Sequence, residues 1–208
     1  MSSPHIKAII FDLGNVLIDF DHSIAARRIC ELTNKTQGEI YRLFFDSGLT
    51  ALFEEGKIAP DKFFSEVKNT LNLKIDYEVF LPIWNEIFFL TERNRQVYEL
   101  AKGLKSNYQT GILSNINILH YEYLKNNFPI FDVFHHVMVS FELGKRKPHH
   151  LIYQKALKAL RVGAGEVFYT DDRPELVASA KGLGLCGAVF TGIEALKKDL
   201  LGTGIQVN

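Results

Sequence analysis

Short apolar runs in this 208-residue chain repeatedly end on residues that can do chemistry. Ala8-Ile9-Ile10-Phe11 ends at Asp12, and Gly111-Ile112-Leu113 ends at Ser114-Asn115. Val167-Phe168-Tyr169 ends at Thr170-Asp171-Asp172, and Lys147 follows shortly after Val137-Met138-Val139. Together these positions offer carboxylates, a hydroxyl, an amide and an ammonium. Clustered carboxylates repel one another, and a cation among them relieves the repulsion. Hard oxygen ligands suit Mg²⁺, and the neutral and cationic donors suit the oxygens of a phosphate. The set implies Mg²⁺-assisted phosphoryl chemistry, with one carboxylate free to act as a nucleophile.

Such residues must be held together by something. Continuous apolar runs of this length fit strands buried on both faces, as in a parallel sheet. Gly187-Ala188-Val189-Phe190 is a further run of the same kind. Helical spacing lies between the runs, over Arg93 to Lys105, Leu151 to Leu160 and Leu176 to Leu183. Alternating strands and helices predict an α/β fold with a doubly wound, mostly parallel, Rossmann-like sheet. Ligands bind such sheets in the crevice outside the carboxyl ends of the strands, where the polar residues above fall. The stretch from Asp19 to Thr91 breaks the alternation: its apolar residues keep helical spacing and no strand is expected in it. It reads as an inserted helical cap, residues 19–91, between the two parts of a catalytic core, residues 1–18 and 92–208.

Composition narrows the partners. Lys+Arg and Asp+Glu both number 24, giving a net charge of zero, and no basic stripe is interleaved with aromatics. Nucleic acid is therefore not an expected partner. No apolar run is long enough to span a bilayer, and "MSSPHIKAII" lacks a signal peptide's apolar region and cleavage site. Cys30 and Cys186 are far apart and read as thiols in a reducing compartment. The expectation is a cytoplasmic monomer or homodimer acting on a small phosphorylated metabolite.

The same residues resemble a known superfamily. "FDLGNVL", "ILSN", "KRKP" and "YTDD" are similar, in this order, to the four motifs of the haloacid dehalogenase-like hydrolases. The inserted helical segment matches the cap of the sugar-phosphatase-like branch. The resemblance implies that Asp12 attacks phosphorus and forms an aspartyl-phosphate, with Mg²⁺ held by Asp12, Asp172 and the Gly14 carbonyl. It implies hydrogen bonds from Ser114 and Asn115 to the phosphoryl oxygens, and charge neutralisation by Lys147. Asp171 contributes to the metal directly or through water.

Two departures from the family pattern matter. The family usually carries a proton-donating Asp two residues after the nucleophile, and here that residue is Gly14. General acid catalysis typically contributes about 10²- to 10⁴-fold, so its absence favours easily departing leaving groups, such as anomeric sugar phosphates. Leu176 stands where an Asp or Asn often supports the metal. Two alternative functions follow: a hydrolytic dehalogenase using the same Asp12, and a catalytically weak phosphate-binding regulatory module.

Plainer structural roles exist for several of these residues. Ser114-Asn115 fits the N-cap of a helix beginning near Ile116, and Asp171-Asp172 fits the cap of the helix that Pro174 opens. Asp19 and Asp21 fit hinge carboxylates, either of them a possible substitute acid. The run "FLPIWNEIFFL" fits cap core, the pairs His135-His136 and His149-His150 are not expected to hold a metal, and Phe53 to Lys57 resembles a cap loop that faces the active site in this branch but carries no assigned role.

Overall fold

The computed structural model describes residues 5–45 and 47–207. In chain order the strands are β1 (Ala8–Phe11), β2 (Asp19–Phe20), β3 (Phe88–Phe89), β4 (Gln109–Ser114), β5 (His136–Val139), β6 (Val167–Asp171) and β7 (Cys186–Val189). The helices between β2 and β3 are α1 (His22–Cys30), α2 (Gln37–Phe45), α3 (Gly48–Glu54), α4 (Pro60–Leu71) and α5 (Tyr77–Asn85). The remainder are α6 (Glu92–Leu104), α7 (Ile118–Asn127), α8 (Ser140–Leu143), α9 (His150–Leu160), α10 (Pro174–Gly182) and α11 (Ile193–Gly202).

The main sheet runs β5-β4-β1-β6-β7, and all its pairings are parallel. The predicted doubly wound α/β sheet is therefore present. Its apolar runs cover both faces of the sheet, as continuous burial of β1 requires. Ile9 and Phe11 pack with Val97 and Leu104 of α6 and Leu200 of α11 on one side. Ala8 and Ile10 pack with Ile152 and Ala156 of α9 and Val177 of α10 on the other. Burying each such side chain contributes roughly 1.5–3 kcal/mol, so β1 is anchored from both directions. The chain winds outward from β1 to β4 and β5, then returns to β6 on the opposite side. That reversal opens a crevice at the carboxyl end of β1, directly where Asp12 follows.

The inserted segment carries one feature its sequence did not suggest. Its entry and exit pair as a short antiparallel ladder, Asp19 with Phe89 and Phe20 with Phe88. Two residues are too few for a period-2 pattern, so the ladder left no signal. Beyond it, α1 to α5 enclose their own apolar cluster, with Phe44, Phe53, Phe63, Phe80 and Trp84 at its centre. The run from Phe80 to Leu90 is accordingly split: Phe80, Trp84 and Ile87 are buried, whereas Phe89 is exposed. Asp19 sits at the ladder, accepting hydrogen bonds from Arg93 at 2.5 Å, Asn94 at 3.1 Å and Thr91 at 3.1 Å. Thr91 and Asn94 also cap α6 reciprocally.

Candidate active site

The crevice is built around one ammonium. Lys147 is 4% exposed, and its Nζ donates to Asp12 Oδ1 at 2.7 Å, Asp171 Oδ2 at 2.7 Å and the Leu113 carbonyl at 2.9 Å. An ammonium has three donors, and all are used on the carboxyl ends of β1, β4 and β6. Burial alone lowers the pKa of Lys147, but the attraction of Asp12 and Asp171 outweighs it and raises it. For Asp171, burial raises the pKa, and the Lys147 charge with the Lys147, Tyr169 and Arg173 hydrogen bonds lowers it on balance. Burial pushes the Asp12 carboxyl up to about 7 against the pull of Lys147.

Asn115 determines where that lysine stands. Its Oδ1 accepts from the Lys147 main-chain N–H at 2.7 Å, and its Nδ2 donates to the Lys147 carbonyl at 2.9 Å. The side chain expected to contact phosphate thus clamps the lysine backbone as well. Ser114 lines the cavity and makes no hydrogen bond through Oγ among the described residues. Neither residue caps a helix, because α7 starts at Ile118 with Asn117 as its N-cap. Asp171 Oδ1 accepts from Arg173 N at 2.9 Å, and its Oδ2 is shared by Lys147 and the Tyr169 hydroxyl. Asp172 is held by Asn15, whose Nδ2 donates to Oδ2 at 2.9 Å. Burial raises the Asp172 pKa, with Asn15 opposing.

Oxygens of Asp12, Asp171 and Asp172 lie within 4.8 Å of one another. Three carboxylates face one ammonium, and burial disfavours their charge at Asp12 and Asp172. A divalent cation with oxygen preference fits this donor set and its excess negative charge. Gly14 lines the same cavity. Leu176 is buried beside it, and Glu175 turns away to pair with Arg173 at 2.5 Å. No other group of three or more metal-ligating side chains is found among the described residues.

The cap segment supplies the opposite wall of this cavity of about 190 Å³. Phe20, His22, Phe45, Glu54 and Phe88 line it. Glu54 Oε2 contacts Arg146 Nε at 2.6 Å, and burial raises the Glu54 pKa against the Arg146 charge. The C-terminal end of α3, at the start of the stretch that carried no assigned role, therefore reaches the site. Buried Ser140 holds it there, donating from Oγ to the Glu54 carbonyl at 2.6 Å and accepting from Ile116 N at 2.9 Å. Ser140 had no motif to mark it, whereas Glu54 lies in the stretch that resembles a cap loop facing the active site. Asp19 and Asp21 do not line the cavity, since Asp19 serves the hinge and Asp21 caps α1 through Ser23.

Residues 6–184 match the model of the haloacid dehalogenase-like hydrolases. The chain belongs to that family and is a hydrolase. It is 25% identical over 185 residues to the D-ribitol-5-phosphate phosphatase of Bacteroides thetaiotaomicron, covering 86% of this chain and 89% of that one. It is 29% identical over 178 residues to a glyceraldehyde 3-phosphate phosphatase of Pyrococcus furiosus, covering 81% and 73%. The fold matches a crystal structure of a family enzyme from Bacteroides thetaiotaomicron, in complex with magnesium and inorganic phosphate, with a TM-score of 0.78. That match has 24% identity over 88% of this chain and 93% of that one.

Proposed function

We propose that the chain is a Mg²⁺-dependent phosphatase of small phosphorylated metabolites, sugar and polyol phosphates in particular. The observation that carries this is the Lys147 bridge between Asp12 and Asp171 beside Asp172. Phosphatase relatives over most of the chain, and a magnesium and phosphate complex of the same fold, support it.

Asp12 Oδ1 is fixed by Lys147, leaving Oδ2 to attack phosphorus. The Oδ2–P bond forms as the bond to the leaving oxygen breaks, and that oxygen then takes a proton. Water next attacks the aspartyl-phosphate at phosphorus, giving inorganic phosphate and restoring the Asp12 carboxylate. Lys147 offsets the negative charge gathered around Asp12, and Ser114 Oγ is placed to donate to a phosphoryl oxygen. Mg²⁺ held by Asp12, Asp172 and the Gly14 carbonyl would supply charge neutralisation between the carboxylate and the incoming phosphate. The catalytic core, residues 1–18 and 92–208, carries these groups, and the cap, residues 19–91, closes over the leaving group.

The missing acid at Gly14 favours anomeric phosphates, whereas the relatives are named for ribitol 5-phosphate and glyceraldehyde 3-phosphate, which are primary esters. A phosphate-release panel containing all these esters and glucose 1-phosphate decides between them. We expect release that requires Mg²⁺ and vanishes in folded Asp12→Asn. Phosphate release that persists in that variant, or that ignores Mg²⁺, overturns the proposal.

A further inference from the structure

The cap side of the cavity holds an imidazole with no hydrogen-bond partner among the described residues. His22 opens α1 and lines the cavity. Its ring lies flat on Phe45, centroids 3.4 Å apart at 15°, and tilts against Phe20 at 4.6 Å. Neither ring nitrogen has a hydrogen bond among the described residues, and Nδ1 is sealed from solvent. Nε2 is therefore the nitrogen left to meet a ligand. The neighbouring polar groups face partners. His120 uses both nitrogens, facing Asn117 at 3.1 Å and the Trp84 carbonyl at 3.0 Å, although Glu54 Oε2 and Arg146 Nε meet as an ion pair without hydrogen-bond geometry. Buried polar groups are normally hydrogen-bonded, so an idle imidazole between aromatic rings in a substrate cavity needs an explanation.

Resting on the phosphatase reading, we propose that His22 is a specificity-determining residue whose Nε2 hydrogen-bonds a hydroxyl of the leaving group. The site would then select phosphate esters of polyhydroxylated alcohols over alkyl phosphates of the same length. The ring is neutral near pH 7, because burial, with His120 nearby, lowers its pKa to about 3. A neutral imidazole suits a hydroxyl, which both donates and accepts, better than a charged group. The aromatic rings on either side suit the C–H faces of such a chain. A site built to bond a substrate hydroxyl rejects the analogue that lacks it, because its own polar group is left unpaired.

The test compares ribitol 5-phosphate with pentyl phosphate by kcat/KM, with Mg²⁺ present, in wild type, His22→Phe and His22→Gln. Phenylalanine preserves the stack on Phe45, and glutamine restores a polar group near the Nε2 position. The ratio of the two kcat/KM values is expected to fall about tenfold in His22→Phe, the scale of one neutral hydrogen bond, and to recover in part in His22→Gln. Equal ratios in all three folded proteins overturn the inference, as does a loss in His22→Gln matching that in His22→Phe. Calorimetric titration of the same two compounds into Asp12→Asn, with and without His22→Phe, reads the contact without turnover. Absent turnover together with a His22-dependent preference in binding sinks the phosphatase reading and leaves this inference standing. Binding that ignores His22 sinks the inference alone.

Discussion

The two walls of the cavity solve opposite problems. The floor is ionic: Asp12, Asp171, Asp172 and Lys147 are placed by the ends of parallel strands and share a hydrogen-bonded network. The roof is aromatic and uncharged apart from the Glu54–Arg146 pair, and it is assembled from β2, α1, α2, α3 and β3 with His120 of α7. Phosphate is common to every substrate of a phosphatase, and a rigid sheet edge can hold the groups that recognise it. The leaving group differs between substrates, and side chains on separate helices can be exchanged without disturbing the sheet. Under the proposed function, this difference would put chemistry in the floor and selectivity in the roof.

The sharpest way to break this division is to remove the floor's central charge. Lys147→Met leaves Asp12 and Asp171 facing each other without their buried cation. Activity is expected to fall by roughly 10³-fold, near the upper end for losing one preorganised electrostatic group. Stability in Mg²⁺-free buffer is expected to fall by about 3–5 kcal/mol, the range for breaking a buried ion pair from one side. Urea unfolding and phosphate release check both. A variant retaining more than a tenth of the activity would detach Lys147 from the chemistry.

The walls also differed in how well the sequence revealed them. Asp12, Ser114 and Asp172 each follow an apolar run within three residues, so strand position and side-chain chemistry were written together, whereas Lys147 comes eight residues after Val139, beyond α8. The sheet itself was legible for the same reason, because continuous burial makes continuous apolar words. The roof left no such words. His22, Phe45, Glu54 and Phe88 are separated by helices, and only tertiary packing brings them to one cavity. Phe88 and Phe89 sit in one apolar run with different exposures, which no spacing rule separates. Asn115 shows the limit within the floor: its motif was visible, but its double bond to the Lys147 backbone depends on how β4 and the loop before α9 meet.

Acid should separate the walls next. The folded-state pKa of His22 is lowered to about 3 and that of His120 to about 4, in both cases first by burial. Unfolded histidines bind protons below about 6.5. Each roof histidine therefore contributes stability that is full above that pH and is lost as pH falls towards its folded value. The expected loss is about 1.4 kcal/mol per pH unit for each, measured by urea unfolding between pH 6.5 and 5. Asp12 opposes the histidines, because its raised pKa favours the folded state as pH falls below about 7. His120→Leu should therefore remove one histidine's share of the net slope whatever it does to stability at pH 7. An unchanged slope would place the acid sensitivity outside the roof.

Ser140 is where the walls are tied. Its buried hydroxyl links the Glu54 carbonyl above to Ile116 N below. Ser140→Ala leaves those groups unpaired and is expected to cost about 1–3 kcal/mol. If the tie positions the end of α3, KM for the best substrate of the phosphate-release panel rises more than kcat falls. Equal changes in both would make Ser140 a purely structural anchor.

The smallest expected effect lies where floor and roof touch. A Cβ on Gly14 would stand 2.6 Å from Phe20 Cε1, so the roof's aromatic ring fills the space that any side chain at position 14 needs. This relates the missing acid to the cap: an aspartate at position 14 and the present Phe20 cannot both occupy this arrangement. Gly14→Ala forces the ring aside and is expected to destabilise by about 1 kcal/mol, the low end for overpacking, because a half-buried ring has room to move. In Phe20→Leu, which removes the clashing ring edge, the same Gly14→Ala change should cost measurably less. The double-mutant cycle, read by urea unfolding, isolates this coupling, and contacting residues usually show at least about 0.5 kcal/mol. A cycle that closes at zero would mean that Phe20 yields freely and that the absence of an acid at position 14 has no steric link to the cap.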